Sequence, residues 1–369
     1  MPLEPKAFKT ALTRVLPYKG GKGRPYDSSL EIHKLSSNEN PYGCSPLVKK
    51  AIEDEILRIN EYPDQTDKRL RDALSSHYKG RLKEDQFITG NGGVNIIEIV
   101  VNAFLDDSTN CIVSNPCFLP YIQFSKKVNA EVIDIPLHAS DYSLDVEGIL
   151  RAINEETRVV WLCSPNNPTG TIIKRSELET ILNGVPDHVV VVYDEVYFHY
   201  ADDVDNVTAL EYVDQGYNVI AINSFSKGYG MAGARIGYAY TTVQIASYIN
   251  TAKRPFYLNR LSLVGAIAAL KDQDFIRKTV RRTHEARLSL YAALDKLNIR
   301  YWRTQANFVL IAPEIPSEKF QKGMAELGVM VRPADAFGAP NRVRVTIGTS
   351  SNIKAFIKAC ELVLGRGQE

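Results

Sequence analysis

From Phe87 to about Pro255, short apolar runs alternate with stretches of helical spacing. The runs lie at 111–114, 132–137, 159–163, 189–193, 219–222 and 236–240, and they are rich in β-branched residues. Runs this short and this continuously apolar predict strands covered on both faces, and helical patterns between them predict a mostly parallel sheet. Residues 94–104 are apolar nearly all round, which predicts a buried helix after the turn in FITGNGG. Beyond Pro255 the pattern changes to long amphipathic helices at 261–270 and 275–297, then strands near 307–312 and 342–347. The first forty residues read as irregular; Asn, Pro and Gly in LSSNENPYGCSP then punctuate a turn before a helix over 47–59, ending at Glu61-Tyr62-Pro63-Asp64. The fold class expected is α/β. A large domain with a mostly parallel sheet spans 45–255, and a smaller α+β domain combines 256–369 with the N-terminal segment 1–44.

Composition narrows the function without naming it. The 369 residues are 44% hydrophobic and 24% charged, ordinary for a globular enzyme. A net charge of +1 offers no electrostatic pull toward nucleic acid or an anionic membrane. The longest mostly apolar run, 261–270, is well short of the roughly 20 residues that span a bilayer. The first ten residues, MPLEPKAFKT, lack the apolar centre of a signal peptide. Cysteines 44, 111, 117, 163 and 360 are odd in number and scattered, which points to reduced thiols in the cytoplasm rather than disulfides. The six histidines are equally dispersed, so no metal site is expected.

The candidate chemistry gathers around NSFSKGYGMAGARIGYAY, residues 223–240. A lysine after a strand and turn can form a Schiff base with a carbonyl compound. The hydroxyls of Ser224 and Ser226, with the Arg235 guanidinium, can share a phosphate. A reactive amine at Lys227 beside a phosphate cradle is what pyridoxal phosphate requires. Gly90-Asn91-Gly92-Gly93 opens a helix, where backbone N–H groups and the dipole favour an anion. In SPNNPTG, 164–170, Asn167 can donate a hydrogen bond to a phenolic oxygen. Asp194 follows four valines and so sits at the carboxyl end of a buried strand, where a carboxylate needs a cation. A protonated pyridine nitrogen is such a cation, and Tyr197 can join Asn167 at the ring oxygen.

These segments, in this order, resemble the fold-type I aminotransferases. The resemblance runs from Pro17-Tyr18 through SNENPYG, EYPD, SPNNPTG, YDEVY, SFSKGYGMAGARIGYA and NFVLI to RVRVTIGT, and is nearest to the histidinol-phosphate aminotransferases and their aromatic relatives. It implies pyridoxal-phosphate-dependent transamination, with Lys227 as the Schiff-base lysine. Gly93 and Val94 then contact the cofactor phosphate through backbone N–H groups, and Phe118 stacks on its ring. Tyr62 reaches the phosphate of a neighbouring subunit, which implies a homodimer with shared sites. Tyr18, Asn38, Asn167, Arg332 and Arg344 belong beside the substrate, and Arg342 can share its charge. The reaction implied is histidinol phosphate plus 2-oxoglutarate giving imidazole-acetol phosphate and glutamate, a step of histidine biosynthesis. Two departures stand out. Gly93-Val94-Asn95 replaces a small residue followed by acidic ones, and Cys117 replaces a hydroxyl residue.

Other activities fit parts of the pattern. Aromatic or other specialised aminotransferases share most of these motifs. Threonine-phosphate decarboxylases, which are lyases, resemble the same sequences. A cofactor-binding regulator would need an added helix-turn-helix segment and a basic domain, whereas this chain is nearly neutral and fully used by the enzyme-like region.

Overall fold

Valines 190–192 have apolar side chains on both faces of the backbone, and they run up the middle of the main sheet. The computed structural model describes residues 9–13, 15, 17, 30–63 and 66–366. Strand β1 (His33–Lys34) comes first, and the main sheet is built from β2 (Phe87–Gly90), β3 (Asn110–Val113), β4 (Glu131–Asp134), β5 (Thr157–Cys163), β6 (Val190–Asp194), β7 (Val219–Ser224) and β8 (Gly237–Tyr240). Their spatial order is β2-β8-β7-β6-β5-β3-β4. Strands β3 to β7 run parallel, and β8 is antiparallel to both β7 and β2. The sheet is therefore mostly parallel, with all six expected strands present. The seventh, β2, escaped the pattern because four residues followed by Gly-Asn-Gly-Gly read as the approach to a turn.

Alternation along β6 builds two cores at once. Val191 and Tyr193 enter the first with Leu70, Leu74 and Phe225; Val190 and Val192 enter the second with Ile96 and Val100. Each such side chain, fully buried, contributes about 1.5–3 kcal/mol, so this strand is fixed from both faces. The helix Gly93–Phe104 supplies Ile96, Ile97, Val100 and Val101 to the second core, while Asn102 and Ala103 face solvent.

The rest of the chain forms β9 (Arg300–Trp302), β10 (Phe308–Ala312), β11 (Val329–Met330), β12 (Arg332–Pro333) and β13 (Val343–Thr346). Four of these make an antiparallel sheet in the order β12-β13-β10-β9. β11 pairs instead with β1, in parallel, so the N-terminal segment is held against this part of the molecule. A third core of Leu35, Leu290, Val309, Phe320, Val345 and Phe356 lies beneath. The helix Arg260–Lys271 nevertheless puts Leu263, Ala266 and Leu270 into the first core, with Val48 and Leu74. That core thus continues past residue 255 to Ile276. The 24-residue helix Gln273–Lys296 bridges the two parts, with Ile276 in the first core and Leu290 and Leu294 in the third. Among the described residues, no helix is long and apolar enough to cross a membrane.

Candidate active site at the carboxyl ends of the central strands

Cys163, Asp194 and Ile222 stand in one register row across β5, β6 and β7. Strands β5 and β6 end at this row and β7 two residues beyond it, and ligands of open parallel sheets bind outside such carboxyl ends. SPNNPTG follows β5, Asp194 closes β6, and Ser224 closes β7 just before Lys227. A cleft of about 260 Å³ opens there.

Lys227 reaches into it from a turn pinned by two backbone bonds, Phe225 N–H to Ile236 O (3.2 Å) and Met231 N–H to Phe225 O (2.9 Å). The turn needs glycine at 230, where φ is +70° and a Cβ would lie 1.8 Å from the Gly43 carbonyl oxygen. The Lys227 amine donates to the Ser37 carbonyl at 3.2 Å and lies 5.5 Å from the centre of the Tyr197 ring. Burial, and secondarily the Arg344 guanidinium, push its pKa down to about 7.

At one end of the cleft Ser224, Ser226, Arg235, Gly93 and Val94 converge. The helix Gly93–Phe104 begins here, and the N–H groups of Gly93 and Val94 have no intrahelical acceptor. Arg235 lies across the turn before it, donating to Ala232 O (3.0 Å) and Asn91 O (3.4 Å). Gly92 is required for that approach: its φ is +81°, and a Cβ would sit 2.6 Å from Arg235 Nη2. Hydroxyls, a guanidinium and free amide N–H groups form an anion cradle. Asn95 plays another part, its Oδ1 accepting from Asn91 N–H at 3.0 Å.

Asp194 forms the floor. Its carboxylate accepts from the Tyr121 hydroxyl at 2.6 Å and from Val196 N–H at 3.2 Å. Burial pushes its pKa up to about 6, against these hydrogen bonds. A buried carboxylate held by neutral donors and raised by desolvation is suited to a cation arriving from the cleft. Glu195 points the other way, where Tyr240 (2.5 Å), Asn223 (2.7 Å) and Ala209 N–H (3.1 Å) satisfy it in the opposite core. An amine, an anion cradle and a buried carboxylate line one cleft, and this arrangement fits pyridoxal phosphate.

The walls are equally specific. Asn167 Oδ1 accepts from Arg344 Nη1 at 2.6 Å, which leaves its amide NH₂ as a donor. The Tyr197 hydroxyl accepts from Asn38 Nδ2 at 3.1 Å, and burial pushes its pKa up. Asn38, at φ 55°, is fixed by its N–H to Thr346 Oγ1 (2.9 Å) and by its carbonyl, which accepts from Asn307 (3.1 Å). Phe118 lines the cleft and meets Tyr121 edge-on, ring centres 5.7 Å apart. Arg332 and Arg344 both line it from β12 and β13.

Comparisons with known proteins agree with this geometry. The family model for aminotransferase class I and II matches residues 31–359. The chain belongs to that family. The histidinol-phosphate aminotransferase of Anoxybacillus flavithermus is 38% identical over 356 residues, covering 95% of each chain. That of Bacillus subtilis strain 168 is 38% identical over 346 residues, 93% of this chain and 95% of the other. In fold, the aminotransferase matches the crystal structure of histidinol-phosphate aminotransferase from Sinorhizobium meliloti in complex with pyridoxal-5′-phosphate, with a TM-score of 0.86, 22% identity and 97% of both chains covered. The fold-type I architecture expected from the motifs is the one present.

Not every expected residue of this aminotransferase reaches its own cleft. Tyr62 is 80% exposed on the outer surface, its ring 5.0 Å from that of Phe256. Arg342 precedes β13 and lies over the Trp302 ring at 5.2 Å; it is not part of the cleft wall, because the indole face takes the guanidinium. Tyr18 lies outside the described residues. Conversely, Tyr121 was missed. In sequence it is one more aromatic at a helix start, two residues beyond Leu119, which caps the helix Pro120–Lys127. Ser36, Ser37 and Glu39 also line the cleft unannounced.

Proposed function

We propose that this aminotransferase uses pyridoxal phosphate to move an amino group from histidinol phosphate to 2-oxoglutarate, giving imidazole-acetol phosphate and glutamate in histidine biosynthesis. The observation that carries this reading is the pair Arg332 and Arg344 on the wall of the cleft that holds Lys227. A plain α-carboxylate needs one guanidinium fork, whereas a dianionic phosphate takes two.

When bound, pyridoxal phosphate supplies the electron sink that makes the substrate's α-proton removable. Ser224, Ser226, Arg235 and the first N–H groups of helix Gly93–Phe104 hold its phosphate. Asp194, oriented by Tyr121, keeps the ring nitrogen protonated, and Asn167 and Tyr197 hold the ring oxygen. Phe118 covers the ring. The Lys227 amine would hold and move the proton of the substrate carbon; a pKa of about 7 suits a group that must both take and give a proton. Arg332 and Arg344 hold the substrate phosphate meanwhile.

In the same reading the enzyme is a homodimer, and the exposed Tyr62 reaches the cofactor phosphate of the partner. The chain works as two units, 45–255 and 1–44 plus 256–369, with helix Arg260–Lys271 of the second docked on the first. All five cysteines are free thiols, which suits a reducing cytoplasm.

The test supplies histidinol phosphate, phenylalanine and threonine phosphate in turn, following visible absorbance, glutamate formation and carbon dioxide release. Glutamate formed preferentially from histidinol phosphate, without carbon dioxide, supports the reading. Preferential transfer from phenylalanine, or carbon dioxide from threonine phosphate, contradicts it.

A further inference from the structure

Six charged side chains line the cleft among the described residues. Four are cations, Lys227, Arg235, Arg332 and Arg344, and two are carboxylates, Asp194 and Glu39. Asp194 lies buried at the floor, engaged by Tyr121. Glu39 stands at the mouth, its side chain 40% exposed, and no step described so far uses it.

Its position is set by the turn that carries it. On one side, Asn38 N–H bonds Thr346 Oγ1 at 2.9 Å, tying the turn to the strand that bears Arg344. On the other, Asn40 Nδ2 donates to the carbonyl of Gly228 at 3.0 Å, the residue after Lys227. Tyr42 N–H closes the turn on Asn40 Oδ1 at 3.0 Å. The backbone at Glu39 is thereby tied on one side to the strand that bears Arg344 and on the other to the turn that bears Lys227, and its side chain lines the same cleft. Lys34 orients the carboxylate, its amine 2.6 Å from Oε1. That pair occupies one oxygen, and among the described residues Oε2 has no hydrogen-bond partner, so it stays available as an acceptor.

A substrate in this cleft has three arms around its amine-bearing carbon. The hydrogen faces Lys227, which removes it, and the phosphate arm faces Arg332 and Arg344, so the third arm, the side chain, is left for the mouth. An ionised carboxylate only accepts hydrogen bonds. It favours a side chain that offers an N–H, and it penalises a ring of the same size that covers it and offers none. We propose that Glu39 is a specificity-determining residue that accepts a hydrogen bond from the imidazole N–H of the substrate and so selects an imidazolyl over a phenyl side chain. This rests on the phosphorylated-amine reading above and assigns the end of the substrate that the arginines do not touch.

The experiment uses the cofactor-loaded enzyme and two amine-free probes, 3-(imidazol-4-yl)propyl phosphate and 3-phenylpropyl phosphate. Calorimetry gives their dissociation constants in the parent, in Glu39→Gln and in Glu39→Ala. The ratio of kcat/KM for histidinol phosphate to that for phenylalaninol phosphate is measured alongside. Loss of a hydrogen bond to a charged group should lower the imidazolyl preference about tenfold or more in Glu39→Ala, in binding and in turnover, with Glu39→Gln between it and the parent. A parallel loss for both probes, or a preference within about twofold of the parent's, overturns the assignment while leaving the phosphate reading intact. A parent that neither binds the imidazolyl probe nor turns over histidinol phosphate overturns the functional reading, and this inference with it.

Discussion

Arg332 and Arg344 stand directly opposite one another in the register of antiparallel strands β12 and β13, and each guanidinium lies 5.3 Å from the same ring, that of Phe337. Two like charges this close to one aromatic are tolerated because each gains from the ring, and they are useful when a dianion enters the cleft that both line. Arg344 is also anchored by Asn167 and by the Ser36 carbonyl (2.9 Å), so its removal disturbs the cofactor wall too. Arg332 is the cleaner probe. Arg332→Ala should lower kcat/KM for histidinol phosphate by about 10- to 100-fold, the worth of charge-assisted hydrogen bonds, and affect phenylalanine much less. Equal losses for both amino donors would remove Arg332 from phosphate recognition.

Lys227→Ala should abolish transamination, since removing a positioned proton-transfer group typically costs about 10²–10⁴-fold and this one also anchors the cofactor. Cofactor retention should survive in part, because Ser224, Ser226 and Arg235 belong to a separate cradle. Equilibrium dialysis with pyridoxal phosphate and a single-turnover assay check the two halves separately; substantial turnover in the variant contradicts the assignment.

The Lys227 amine makes a pH prediction. Its pKa is shifted down to about 7, so the neutral, nucleophilic form dominates above that pH and the charged form below. Uptake of pyridoxal phosphate by the cofactor-free protein should therefore slow as pH falls through about 7, rather than through the ordinary lysine range above 10. Stopped-flow absorbance across pH 6–9 reads this directly, and a flat profile there contradicts it.

Asp194→Ala should lose activity by several orders of magnitude and weaken cofactor retention, because among the described residues the one other carboxylate lining the cleft is Glu39, at its mouth. Tyr121→Phe removes one hydrogen bond from the same carboxylate, and a smaller loss of about tenfold is expected. If Asp194 were only a satisfied core carboxylate, the alanine variant would be unstable yet retain normal specific activity in its folded fraction; a melting curve with an active-site titration separates the cases.

Tyr62 tests the partner subunit. Tyr62→Phe should weaken cofactor binding, and mixing it with Lys227→Ala subunits should restore activity, since each mixed dimer then contains one intact site. Absence of recovery in verified mixed dimers would place Tyr62 outside any shared site.

What the sequence made legible follows from how local each signal is. The strands at 159–163, 189–193 and 219–222 could be read because a doubly covered parallel strand must be apolar throughout. The cofactor end of the cleft was legible because Lys227, its two serines and Arg235 fall within twelve residues of one another. Pairings across long separations were not. Tyr121 reaches Asp194 over 73 positions, and Asn38 reaches Tyr197 over 159. Arg342 misled for a different reason: alternation correctly placed it two residues from Arg344, but it did not reveal that Trp302, brought up by β9, offers a competing aromatic face.

The central claim is that the amino donor is a phosphorylated imidazolyl amine. The direct measurement is glutamate formed from 2-oxoglutarate by the purified enzyme, with histidinol phosphate and phenylalanine as separate donors at matched concentrations. The account predicts stoichiometric glutamate and imidazole-acetol phosphate, with a higher kcat/KM for histidinol phosphate. Glutamate formed from phenylalanine but not from histidinol phosphate would contradict it.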